Sequence, residues 1–311
     1  MSFYEHITDF AGLPVVDWER ETGIADPTGA LYRVSLSYEE EEGGMRWTDK
    51  FAGFMDDPAV ESIPGIVVGQ WGTEAYGRGD ISSAPVVEAL VAARDRLPNL
   101  TAIFLGDITQ EENEISWIRQ SDVSPLFGAY PALEYLTLRG TDGLSLGTVA
   151  HDRLQSLVVQ SGGLNTDVYH QAVSAHLPEL THLELWLGTE DYGANVTVED
   201  LAPLLSGDRF PKLRYLGLRD SAIADEVAAV IAPAPVVGRI RVLDLSMGTF
   251  GDEGAGALLA SPFVPRLEKL DIHYHYCSEE MVAKLQGLGI AVDASERQDE
   301  DQYGRYVAVS E

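Results

Sequence analysis

A chain of 311 residues with 50 acidic against 21 basic side chains carries a formal charge of −29, which repels nucleic-acid phosphates and anionic membrane surfaces and argues against both as partners. The single cysteine, Cys277, excludes an internal disulfide framework and fits a reducing, cytoplasmic compartment. The first thirty residues lack a basic start followed by an apolar run, and no stretch approaches the roughly 18 apolar residues of a membrane helix, so a soluble protein is expected.

In chain order, residues 1–58 read as an N-terminal cap: a hairpin plus a short helix. Leu31, Val34, Leu36 and Tyr38 in LYRVSLSY suggest a strand, Glu39 to Gly44 an acidic turn, Met45 to Thr48 a returning strand, and Asp49 to Met55 a helix. Next comes IPGIVV, with Ile63, Ile66 and Val68 in three apolar slots, then a glycine-punctuated loop from Gly69 to Gly79 containing Trp71 and Tyr76. APVVEALVAARDRL reads as a helix, with Pro85 in its first turn, where the missing amide hydrogen costs little. LTAIFL repeats the three slots as Leu100, Ile103 and Leu105, and Thr109 with Glu112 makes a capping-box pattern that predicts a further helical start.

The figure L-x-x-L-x-L then recurs at Leu133, Leu136, Leu138; Leu154, Leu157, Val159; Leu180, Leu183, Leu185; Leu213, Leu216, Leu218; Ile240, Leu243, Leu245; and Leu267, Leu270, Ile272. First-slot spacings from Ile63 onward are 37, 33, 21, 26, 33, 27 and 27 residues, so the strand half is fixed and the returns vary. LQGLGIAV offers a weaker ninth turn through Leu285, Leu288 and Ile290. The returns also match: ADEVAAVIA after Ile223, GDEGAGALLAS after Phe250, SEEMVAKLQ after Cys277 and NTDVYHQAV after Leu164 each open with acid, which suits a helix N-terminus. Residues 59–293 therefore form a repeat array, and 294–311 an acidic tail ending in RYVAVSE as a closing edge strand.

The L-x-x-L-x-L figure with its x-x-(N/C)-x-L continuation resembles the leucine-rich repeats, and the long helical returns resemble their ribonuclease-inhibitor type, over roughly Ile63 to Val292. The resemblance implies an α/β solenoid, a horseshoe of about eight to nine turns with end caps, parallel strands on its concave face and helices on its convex face. The slot usually held by Asn or Cys is here Thr141, Gly162, Gly188, Ser221, Gly248 and His275, which weakens the expected inward hydrogen-bond ladder. FAGLPV near Phe10 and the terminal RYVAVSE are also similar to a group of bacterial cytosolic leucine-rich-repeat proteins with no assigned activity.

Side chains alternate along a strand, so burying the leucines turns the residues between them to the opposite face. On that face fall Tyr135, Arg139, Gln160, His182, Glu184, Trp186, Tyr215, Arg219, Asp244, Lys269, Asp271 and His273, the candidate partner-binding residues. Trp186, Tyr215 and Arg219 are of the types that anchor protein interfaces. HYHYC, from His273 to Cys277, has the look of a metal motif, but the repeat register puts Cys277 and His275 inward, so neither a metal nor any cofactor is expected. No Walker loop or G-x-G-x-x-G before a helix is present, and no catalytic residue is assigned. The expectation is a non-catalytic module holding a protein or peptide partner, one of basic character suiting the charge. The competing readings are an enzyme or a regulator of enzyme activity, such as a GTPase activator using a concave or rim arginine, Arg139 or Arg219, and a purely architectural role.

Overall fold

The computed structural model describes residues 3–73 and 81–311; Tyr76 and the second half of the expected Gly69–Gly79 loop lie outside the described residues. The chain divides into two compact units, one running to Ser156 and the other from Leu157 to Glu311.

In the first unit β1 (Asp9–Phe10), β2 (Leu13–Asp17), β3 (Leu31–Val34), β4 (Gly65–Val68), β5 (Ala102–Leu105) and β6 (Tyr135–Arg139) are neighbours in chain order. β1 and β2 pair antiparallel, and from β2 to β6 all pairings are parallel. Its helices are α1 (Tyr38–Glu42), α2 (Trp47–Met55), α3 (Ala84–Ala93) and α4 (Pro125–Ala129). The second unit carries β7 (Ser156–Gln160), which opens at the boundary, then β8 (His182–Gly188), β9 (Tyr215–Ser221), β10 (Val242–Asp244), β11 (Lys269–Asp271) and β12 (Ala291–Asp293). Between these strands lie α5 (Thr166–Val173), α6 (Ala202–Leu205), α7 (Ala224–Ile231), α8 (Asp252–Leu259) and α9 (Glu279–Gln286). Parallel strand followed by helical return is the leucine-rich-repeat arrangement, and the chain is an α/β solenoid of that kind. Among the described residues no helix is long and apolar enough to cross a membrane.

The repeat register holds strand by strand. Ile66, Ile103 and Leu136 are mutually paired across β4–β6, as are Leu183, Leu216, Leu243 and Leu270 across β8–β11, and all are buried. Each return then closes the core with its inward stripe, Val227 and Ile231 on α7 and Leu258 on α8. Ile223, expected to be core, is half-buried at the start of α7, whereas its counterparts Phe250 and Cys277 are fully buried.

The N-terminal region departs from expectation. The hairpin is Asp9–Asp17, not Leu31–Thr48, and β3 already runs parallel to β4, so the parallel array begins before Ile63. Glu39 to Gly44 is not a turn: Ser37 and Glu40 form a reciprocal capping box, Ser37 Oγ accepting the Glu40 amide at 3.3 Å while the Ser37 amide donates to Glu40 Oε2 at 2.8 Å, and α1 follows. Met45–Thr48 is not a strand, because Trp47 begins α2, stacks on Phe51 at 4.8 Å and donates its indole N–H to the Val34 carbonyl at 2.9 Å. Thr109 and Glu112 do pair, yet they close a turn leading to a short 3₁₀ segment, Ile115–Trp117, and no α-helix forms. The ninth turn is shifted: Leu285 belongs to α9, and Val292 is the residue opposite Leu270. The terminal RYVAVSE is not a strand; it crosses the turns that follow β9, β10 and β11 as an irregular strap.

Candidate functional site

The outward residues of the second unit line up as the parallel pairing requires. His182 lies opposite Tyr215, Glu184 opposite Gly217, and Trp186 opposite Arg219; Gly217 then pairs with Asp244, Asp244 with Asp271, and Asp271 with Asp293. Four carboxylates thus share one row across β8–β12, broken only at Gly217. A Cβ on Gly217 would lie 3.1 Å from the Tyr215 ring and 3.2 Å from Glu184 Cγ, so glycine leaves the gap into which Tyr215 leans.

Arg219 and Lys269 pair with this row. Arg219 bonds Glu184 Oε1 at 2.9 Å and Ser246 Oγ at 2.9 Å, sits 3.4 Å from Asp244 Oδ2, and lies 5.4 Å from the centre of the Trp186 ring. The Trp186 indole donates to Glu184 at 2.7 Å, and the Tyr215 hydroxyl donates to Asp244 at 2.6 Å. Burial opposes ionisation of Glu184, but Arg219, His182 and the indole together hold its carboxyl down at about 2. Burial, joined by the Glu184 and Asp244 charges, raises the Tyr215 hydroxyl far above its ordinary value, so it stays a donor. Further along, burial of Asp271 is outweighed by His273 and Lys269, at 2.7 and 2.8 Å, and its carboxyl is held below the usual range.

This corrects the exposure expected of the candidate residues. Trp186, Arg219, Glu184, Asp244, Asp271 and Gln160 are turned to the sheet face as the register requires, yet they are buried, Trp186 being only 1 % exposed. His182, Tyr215, Lys269 and His273 are half-exposed. His182 and Tyr215 stack face to face, centroids 3.9 Å apart and planes within 6°.

On the first unit the same face is covered by the chain itself. Phe10, Leu13 and Val15 pack against Ile7, Leu31, Val67 and Phe104, with Phe10 edge-on to Phe104 at 5.6 Å. Arg139 lies between the rings of Phe3 and Phe104, 5.5 and 5.2 Å from their centres, and donates to the Ile108 carbonyl at 2.8 Å. Burial lowers its guanidinium to about 10, so it remains charged, 3.6 Å from Asp107. Asp107 is fully buried and also takes Arg33 Nε at 2.8 Å, the Ile7 amide at 3.4 Å and the His6 ring at 3.4 Å. Pairing with the Asp107 and Glu112 carboxylates, each 3.4 Å from the ring, pushes His6 up to about 9. Thr137 is buried and Tyr135 half-exposed.

None of Arg33, Asp107, Glu112 or His6 was singled out by the repeat reading, because none lies between two leucine slots. A signal was nonetheless present: in the first unit the outward positions of β4 and β5 are apolar, Val67 and Phe104, whereas the same place on β8, β10 and β11 holds Glu184, Asp244 and Asp271. An apolar outward row requires a cover.

The metal question has a specific geometry. His275 Nε2 is 3.1 Å from the Ala294 carbonyl and its Nδ1 accepts the Cys277 amide at 3.0 Å, so this histidine performs the inward bonding expected of asparagine, and burial lowers it below its ordinary range. Cys277 is buried, its thiol pushed up to about 12 by desolvation. Asp271, His273 and Asp293 bring ligand atoms within 4.8 Å of one another, but Lys269 places its ammonium 2.8 Å from Asp271 and 3.8 Å from Asp293, which supplies the positive charge an ion would bring.

No family model matches the chain, and no curated protein matches it. Among solved structures, a protein from Bacteroides fragilis is 33% identical, with a TM-score of 0.82, and the match covers 90% of this chain and 77% of that one. An internalin from Listeria monocytogenes is 14% identical with a TM-score of 0.37, over 80% of this chain and 57% of that chain, too distant to bear on fold or function. At that identity and coverage, this leucine-rich-repeat-like chain belongs to the family of the Bacteroides fragilis protein.

Proposed function

We propose that the chain is a non-catalytic protein-binding solenoid that takes a protein or peptide partner on the sheet face of its second unit. The observation that carries this reading is the half-exposed set His182, Tyr215, Lys269 and His273, seated on a buried layer of mutually bonded ions. Side chains whose supporting layer is fixed lose little entropy when a partner docks, which is what makes an anchor effective. The overall charge of −29 favours a partner of basic character and speeds its approach. The GTPase-activator reading lacks its residue: Arg139 and Arg219 are both buried and committed to carboxylates, and an arginine finger must reach the phosphates of another molecule.

The test is affinity purification of the native protein beside a Lys269→Glu, His182→Ala variant. Loss of a stoichiometric partner by a variant that remains folded is expected. Retention of every partner by a folded variant would move the binding surface elsewhere.

A further inference from the structure

The strap formed by residues 305–309 is held in the manner of a bound peptide. Arg305 NH1 is 3.1 Å from Asp225 Oδ2 and donates to the Thr249 carbonyl at 3.2 Å, while its guanidinium lies 5.6 Å from the centre of the Tyr276 ring. Gly251 forms the floor of that notch: a Cβ there would lie 2.2 Å from Arg305 NH1. The Tyr306 amide donates to the Tyr276 hydroxyl at 2.9 Å, and that hydroxyl donates to the Tyr306 carbonyl at 3.0 Å. The Tyr274 hydroxyl then reaches the Val307 carbonyl at 3.4 Å, the Ala308 amide donates to the Met247 carbonyl at 2.8 Å, and the Val309 amide donates to Asp220 Oδ1 at 3.0 Å. Val307 and Val309 are buried while Tyr306 between the notch and the first valine is exposed. Backbone groups and alternate side chains are thus both read, as in recognition of an extended peptide.

The groove side is built for this. Asp220, Met247 and Tyr274 hold the same place in three successive turns and all have left-handed backbones, with φ of 51°, 70° and 58°. A non-glycine residue is disfavoured there, and the equivalent turn after β6 uses Gly140. The side chain or carbonyl of each of the three meets one residue of the strap. Asp220 is fully buried, and its Oδ2 has no partner among the described residues. A carboxyl group in such a place is costly, and the contact that accounts for its presence is with the strap amide. The connector, residues 295–303, is largely exposed and rich in acid.

We propose that the rim of the second unit is a groove for an extended Arg-x-Val-x-Val segment, and that it accepts this segment from a second copy of the chain as well as from its own. Exchange re-forms the same contacts in trans, so it costs little beyond the lost advantage of tethering, and the cis strap prevails at low concentration. The second copy is the favoured source because it carries the one segment that the groove demonstrably fits.

Two complementary full-length variants test this. Gly251→Val fills the notch and keeps the strap; Arg305→Glu with Val309→Asp spoils the strap and keeps the groove. Each alone should sediment as a monomer, and their mixture should form a one-to-one dimer with a dissociation constant of about 10 μM. Two folded variants that stay monomeric when mixed at about 200 μM would overturn the proposal. Should Gly251→Val fail to fold, the strap-spoiled variant is titrated with a labelled peptide RYVAVSE. Binding at least about tenfold tighter than to the unaltered chain is expected, because no cis strap competes, and equal or absent binding would overturn it. On the unaltered chain, the Ala308 and Val309 amides should exchange hydrogen faster than those of Leu216 and Leu243; equal protection would mean that the strap opens only with the whole fold.

Discussion

Trp186 and Arg219, directly opposite on β8 and β9, form a cation–π pair at 5.4 Å that is closed to solvent, with the guanidinium turned to Glu184 and Asp244. A side chain that looks like an interface anchor in the sequence is therefore a lid on an ionic layer. Replacing Arg219 by Met leaves two buried carboxylates without their shared cation, and a loss of about 3–5 kcal/mol in urea unfolding is expected. Arg219→Lys should recover only part, because an ammonium cannot serve Glu184 and Ser246 with the same fork geometry. A cost below about 1 kcal/mol for Arg219→Met would mean that the layer is hydrated.

His6 gives the first unit a pH dependence. Its pKa rises from 6.5 in the unfolded chain to about 9 when folded, so the stabilisation is fully present below 6.5 and is lost as pH climbs through 9. The cover formed by Phe3 to Phe10 should loosen over that window, and His6→Gln should flatten the difference between stabilities measured at pH 7 and pH 10. An NMR titration of the His6 ring with a midpoint near 6.5 would show that its pairing with Asp107 and Glu112 is not made.

Cys277 should behave as a core residue and not as a nucleophile. With the thiol pushed up to about 12 and no exposure, it should resist Ellman's reagent in the folded protein and react fully in denaturant. Rapid labelling of the native protein would contradict the burial.

Two left-handed glycines should respond differently to alanine. Gly188, at φ 71°, would place a Cβ 2.0 Å from the Gly162 carbonyl oxygen, and Gly188→Ala should cost at least about 3 kcal/mol. Gly193, at φ 92°, has nothing within 4 Å of such an atom, so Gly193→Ala should cost only about 1–2 kcal/mol, the conformational term alone. Comparable losses in chemical denaturation would show that the backbone around Gly162 yields.

Much of the fold was legible because it is written in a local period. L-x-x-L-x-L specifies which residues of each strand are buried, and Leu183, Leu216, Leu243 and Leu270 stand opposite one another as that figure requires. Direction was legible too: His182, Glu184 and Trp186 turn away from the leucines. Exposure was not, because it depends on what else occupies the face. Arg139 is covered by Phe3, more than a hundred positions away, and Asp220 is capped by Val309, 89 residues downstream. Periodicity encodes contacts within a turn and between successive turns, whereas these two covers come from segments outside the repeat, whose docking is decided by the charge and shape of the assembled surface. The sequence by itself determined the repeat strands from β4 to β11 and their inward core. Only the tertiary structure decided that the first unit's face is closed by residues 3–15, that Arg219 and Lys269 pair with the second unit's row of carboxylates, and that RYVAVSE lies as a strap across the turns and not as an edge strand.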